Sequence, residues 1–85
     1  MNINDIKLGK RVKSVSELSG VPKGTEGVII SDYGSGFMVA WDREENPYPQ
    51  DMSPTEVANM FAVNPECPLR DGFDKSTEMH MLEVV

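Results

Sequence analysis

Apolar residues along this chain recur mostly in short runs with a period of two, broken by Gly, Pro, Ser and Asp, as half-buried β-strands do. Residues 11–15 offer Val12 as an inward position between cationic neighbours and read as a first strand. Residues 16–25 are rich in Ser, Gly, Pro and Lys and read as a loop, with Pro22 fixing φ and Gly24 free to take a positive φ. The branched run 27–30 predicts a second strand. Residues 32–36, with two glycines around Ser35, predict a hairpin connection. Residues 37–42 form the return strand, with Phe37, Val39 and Trp41 on one face and Met38 and Ala40 on the other.

From Arg43 the alternation stops. Residues 43–51 are acidic and proline-containing, and read as a polar, extended excursion. Ser53-Pro54-Thr55-Glu56 then supplies a capping serine, a proline at the first helical position and a glutamate three residues after the cap. Met52 and Val57 are placed to form a hydrophobic staple. Val57, Met60 and Phe61 share a stripe, and Asn64-Pro65 predicts a stop near Ala62 or Val63. A helix this short holds only if its stripe docks on something. Residues 68–74 read as loop or short strand with Leu69 and Phe73 as buried positions, residues 76–78 as a turn, and residues 80–85 as a closing strand with His80, Leu82 and Val84 on one face.

Eighty-five residues allow one domain, here 1–85, and a composition of 39% hydrophobic and 26% charged residues is that of a folded chain rather than a disordered acidic tail. The longest apolar run, residues 37–41, is far below the roughly 20 residues of a membrane-spanning helix, and the first ten residues lack the apolar stretch of a secretory signal. With Cys67 as the one cysteine no internal disulfide forms, which favours a reducing, cytoplasmic setting. The net charge of −6 disfavours nucleic acid or an anionic membrane as primary partner. That charge is uneven. Residues 1–23 carry five bases and two acids, and residues 24–85 carry three bases and twelve acids. A basic first strand lying against acidic neighbours, or a polarised molecule with an acidic face, would each produce this distribution.

The run Gly20-Val21-Pro22-Lys23-Gly24-Thr25-Glu26-Gly27-Val28-Ile29, the hairpin after it and Val39-Ala40-Trp41-Asp42 resemble small bacterial SH3-like barrel proteins. The tail, with Asp71-Gly72-Phe73-Asp74 ahead of Leu82-Glu83-Val84-Val85, is similar to the end of such chains. The resemblance covers roughly residues 8–42 and 68–85. It implies a mainly β fold, a small SH3-like barrel of about five strands, with one short α-helix in an acidic insertion at 43–67. Gly20, Pro22, Gly24, Gly27, Val39, Trp41, Phe73 and Leu82 would be its structural residues. Residues 24–29 also resemble a KOW-type Gly-x-x-Gly-x-Val turn, which in translation and transcription proteins contacts RNA or a neighbouring protein. Glu26, Asp32 and Asp42 and the lack of a basic cluster after the turn depart from that pattern.

The chain offers His80 as its one histidine, Cys67 sits between Glu66 and Pro68, and no CxxC, HxH or HExxH spacing occurs. Asp71 and Asp74 could pair as acids, although turn carboxylates usually cap amides. Sequence therefore assigns no catalytic, cofactor-binding or metal-binding residues and no enzymatic activity. Six aromatics exceed the three or four a small core absorbs, which marks Tyr33 and Tyr48 as exposed contacts and Trp41 as core. The expected function is a cytoplasmic protein-interaction module or small accessory subunit, binding a protein partner through Tyr33, Asp42, Glu44, Glu45, Tyr48, Asp51 and Glu56. One alternative is an acidic inhibitor or nucleic-acid mimic of phage or mobile-element type that masks a basic surface. It requires the acids of 42–56 to form one exposed ridge. Another is an RNA-contacting accessory module, which requires Lys7, Lys10, Arg11, Lys13 and Lys23 to converge.

Overall fold

Alternation and turn chemistry place the strands where the pattern predicts. The computed structural model describes residues 1–18, 20–60, 63 and 69–85. Its strands are β1 (Arg11–Ser14), β2 (Glu26–Asp32), β3 (Gly36–Trp41), β4 (Arg70–Asp74) and β5 (Leu82–Val84), with a helix α1 (Pro54–Met60) between β3 and β4. Single 3-10 turns cover Ile3–Asp5 and Met79–Met81. All strand pairs are antiparallel, in the order β4-β3-β2-β1-β5, and the sheet curls into a half-barrel compatible with the SH3-like expectation.

The inner face is the main core. Ile6, Val12, Ile29, Phe37, Val39, Trp41, Phe73 and Leu82 pack there, with Val21 reaching in from the loop before β2. Phe37 and Phe73 face each other across β3 and β4 with ring centroids 5.7 Å apart, and Trp41 meets Phe73 edge-on at 6.2 Å. Burying side chains of this size contributes about 1.5–3 kcal/mol each against leaving them in water. The Trp41 indole N–H donates to Asp71 Oδ2 at 2.7 Å, which satisfies the one polar atom of a fully buried ring.

Buried Ser14 ties the first loop to β1. Its hydroxyl donates to the Pro22 carbonyl and accepts from the Thr25 N–H, while its own backbone pairs with Thr25 and Gly24. Gly24 sits at φ +82°, where an L side chain is strained. At Gly27 the constraint is space: a β-carbon would lie 2.6 Å from Val39 Cγ1 and 2.9 Å from the Ala40 carbonyl oxygen.

The segment after β3 covers the outer face. Val28, Ile30 and Ala40 form a second cluster with Tyr48 and Val57, flanked by Met38, Met52 and Ala58. The helix starts as its cap predicts: the Glu56 N–H donates to Ser53 Oγ and the Ser53 N–H to Glu56 Oε1, both at 3.2 Å. Residues 43–60 thus supply half of a second core rather than an appended arm. The expected helix end at Ala62 or Val63, its stop at Asn64-Pro65, Phe61 and Cys67 involve residues outside the described ones.

Three expectations are corrected. Tyr48 is 7% exposed, because the outer sheet face needs an aromatic cover and the Asp42 carboxylate draws the Tyr48 N–H inward at 2.9 Å. Leu69 is 37% exposed at the end of the β3–β4 ladder. The closing strand is shorter than residues 80–85, since His80 lies exposed in the 3-10 turn and only Leu82–Val84 are strand.

Candidate functional site

Of the seven residues expected to contact a partner, Tyr48 is buried, and Asp42, Glu45 and Glu56 are engaged within the fold. Asp42 accepts from the Tyr48 N–H and lies 3.8 Å from the Arg11 guanidinium. Glu56 is the reciprocal half of the helix cap. Glu45 pairs with Arg43 at 2.6 Å, and Arg43 also donates to the Gly20 carbonyl. Tyr48 is internal. Glu44, Glu45, Asp51 and Glu56 are the exposed acids of the 42–56 segment, Glu45 paired with Arg43 and Glu56 held in the helix cap. Asp71 and Asp74, the other carboxylates singled out, bond the Trp41 indole and the Ser76 N–H.

The uneven charge of the sequence is partly cancelled in space. Arg11 meets Glu26 at 3.3 Å, and Lys13 meets Glu83 at 3.2 Å across β1 and β5. Exposed pairs like these contribute about 0–1 kcal/mol each. Their larger effect is on the surface field, because two of the five bases of residues 1–23 are neutralised where they stand. Among the described residues no three His, Cys, Asp or Glu side chains converge as metal ligands, and no helix is long and apolar enough to cross a membrane.

Tyr33 is the exposed aromatic of the seven. It stands at the β2–β3 hairpin, 52% exposed, held in a turn by the Gly34 N–H bond to Asp32 and the Tyr33 N–H bond to the Gly36 carbonyl. Its ring folds over the outer face and fills the space that side chains at Gly36 and Gly72 would take: a β-carbon at Gly36 would lie 2.7 Å from Tyr33 Cε2, and one at Gly72 3.0 Å from its hydroxyl. Half-buried Met38, opposite Gly72, shares that face. Two glycines thus form a shelf that presents one side of an aromatic ring. The sequence signal is the pair of glycines at alternate-face positions on adjacent strands, visible only once β3 and β4 are in register.

The same hairpin is closed by Lys75, whose Nζ sits 2.7 Å from Asp32 Oδ1. The Lys75 and Gly34 hydrogen bonds hold the Asp32 carboxyl below the usual carboxylate range, and the Ser76 hydroxyl and N–H do the same for Asp74. Lowered values contribute stability at neutral pH that is lost as pH falls through them. Lys75→Met is expected to raise the Asp32 midpoint, read by carboxyl NMR titration, and to move the start of acid unfolding to higher pH.

Tyr48 carries a cost instead of a contact. Its hydroxyl is buried with no hydrogen-bond partner among the described residues, and burial pushes the phenol pKa up. The stability tied to that phenol is intact below the ordinary phenol range and lost as pH rises through the raised value. Tyr48→Phe is expected to leave stability unchanged or raise it by up to about 1 kcal/mol in urea unfolding, and to remove this alkaline loss.

Two clefts accompany these features. One of about 480 Å³ runs between β1, β5 and the loop before β2, lined by Lys13, Lys23, Glu26 and Glu83 with Val15 and Val85. A smaller one of about 260 Å³ lies among Glu17, Leu18, Gly20, Val21 and Pro22. Both are shallow, and the first pairs its charges internally through Lys13 and Glu83. No family model, curated protein or solved structure matches the chain.

Proposed function

We propose that this chain is a non-enzymatic protein-interaction module or small accessory subunit, built on an SH3-like barrel with a KOW-like turn at residues 24–29, and that it meets a protein partner at the Tyr33 shelf. The carrying observation is an exposed tyrosine laid against Gly36 and Gly72 beside Met38. An aromatic already packed on one side loses little conformational freedom on binding, and tyrosine is among the residues that dominate interface energetics. Support for the KOW-like turn comes from the positive φ of Gly24 and the close approach at Gly27. This reading shifts the contact from the acidic segment to the hairpin, because Asp42, Glu56 and Tyr48 already serve the fold.

The test is capture from the native host at low and high salt, with and without nuclease, followed by amide-shift mapping with the retained protein. Shifts at Tyr33, Met38 and Gly72, and a loss of affinity of about tenfold or more in Tyr33→Ser, are the expected results. Unchanged affinity in Tyr33→Ser overturns the shelf as the contact. Loss of the partner after nuclease overturns the protein-binding reading in favour of RNA.

A further inference from the structure

We propose that the turn of residues 7–10 is a second contact surface, and that it receives an acidic protein segment with apolar side chains set among its carboxylates. The Lys10 N–H donates to the Lys7 carbonyl at 3.0 Å, and Gly9, third of the four residues, sits at φ +88°, as in a type II turn. Leu8 therefore stands at the tip, 53% exposed. Lys7 and Lys10 form the two feet, with Cα atoms within roughly 7 Å of each other.

The turn is anchored on three sides. Ile6, immediately before it, is buried in the main core. The Gly9 N–H donates to the Ile29 carbonyl at 2.8 Å and the Ile29 N–H to the Lys10 carbonyl at 3.0 Å, so β2 holds the side that leads into β1. Gly9 also backs onto the start of α1, where a β-carbon would lie 3.5 Å from Pro54 Cγ. A preformed knob of this kind loses little conformational freedom on docking.

Its charge stands out because most other cations are engaged within the fold. Arg11, Lys13, Arg43 and Lys75 are ion-paired, and Arg70 has a partner of its own. Among the described residues Lys7, Lys10 and Lys23 have no carboxylate partner, and Asp5, the acid nearest the turn in sequence, accepts from the Asn2 N–H. Two of these three cations thus flank one exposed leucine, in a chain of net charge −6.

Charge complementarity sets the sign of the occupant, and Leu8 sets its class. A nucleic-acid backbone offers a leucine no apolar surface, and an anionic bilayer is broad enough to be repelled by the acids of the chain. A short acidic segment meets the turn alone, because charges beyond about 8 Å are screened at physiological ionic strength. Its carboxylates face the two ammonium groups while its apolar side chains cover Leu8.

A labelled synthetic peptide of glutamates with leucine at every third position serves as the probe, titrated with the full chain and read by fluorescence anisotropy and amide shifts. Binding with a Kd of about 0.1–1 mM is expected, weaker at high salt, with the largest shifts at Leu8, Gly9 and Lys10. Lys7→Glu combined with Lys10→Glu is expected to lose about tenfold or more, and Leu8→Ser several-fold. Lys23→Glu makes the same change of charge on another loop and is expected to leave binding within about twofold. Among the described residues none of these side chains bonds within the fold, so the urea midpoints are expected to stay near wild type. Lys7→Gln, at the more exposed foot, reads the same loss in milder form. Each of these results overturns the proposal: no binding, unchanged binding in the double variant, an equal loss in Lys23→Glu, or equal binding of a peptide with serine in place of leucine. Tighter binding of polyuridylate or phosphatidylserine vesicles than of the peptide overturns it as well. Tyr33→Ser leaves the turn intact, so failure of this contact and failure of the Tyr33 shelf are separable.

Discussion

Gly27→Ala is expected to destabilise the chain by about 3 kcal/mol or more, with a matching drop in the urea midpoint and little change in its slope. The added carbon has nowhere to go. It would lie 2.6 Å from Val39 Cγ1, 2.9 Å from the Ala40 carbonyl oxygen and 2.9 Å from Trp41 Cε3, so it presses on backbone as well as on two fully buried side chains. Since Gly27 pairs with Val12 on one side and Trp41 on the other, relief by movement would strain both ladders of β2. Gly20→Ala, where a β-carbon meets nothing within 4 Å, is the control. It suffers only the strain of its φ of +75°, about 1 kcal/mol. A Gly27→Ala cost no larger than that control would show that the β2–β3 approach is looser than described.

Val57→Asp is expected to cost on the order of 4 kcal/mol and to unfold the chain at ordinary temperature, whereas Val57→Ala is expected to cost roughly half as much. Val57 is fully buried, and its neighbours Val28, Ile30, Ala40 and Tyr48 offer a carboxylate no cation. The alternative to burying that charge is to peel the helix from the sheet, which exposes the outer faces of β2 and β3. Thermal unfolding followed by circular dichroism distinguishes the outcomes. If residues 43–60 were a dispensable attachment, the strand signal of Val57→Asp would melt at the wild-type temperature.

What could be read from the sequence was local. The β2–β3 hairpin, the loop around Gly24 and the Ser53–Glu56 cap each depend on residues within a few positions of one another, and each is found in place. The division of β3 into a Phe37, Val39, Trp41 face and a Met38, Ala40 face was legible for the same reason. Tyr48 was not, because two flanking prolines and nearby acids are the signature of an exposed loop, and only the bare outer face of a distant hairpin draws the ring inward. The Asp71 bond to Trp41 spans thirty residues, and no short-range pattern announces it. The acids of 42–56 read as a binding ridge because a sequence shows charges without partners. In three dimensions Asp42, Glu45 and Glu56 each have one. The Tyr33 shelf needed the β3–β4 register before its two glycines could be seen as neighbours.

The closing strand has a kinetic consequence. β5 contributes three residues, all paired to β1 seventy positions earlier in the chain. The β2–β3 hairpin closes over a turn of three residues, 33–35. Loop-closure entropy grows with the length of chain enclosed, so the hairpin assembles early and the β1–β5 contact waits until the intervening chain has been drawn in. Contacts made after the rate-limiting step govern how fast a molecule comes apart rather than how fast it forms. The contact of the smallest strand, with Leu82 packed in the core, is therefore expected to weigh more on how fast the half-barrel comes apart than on how fast it forms.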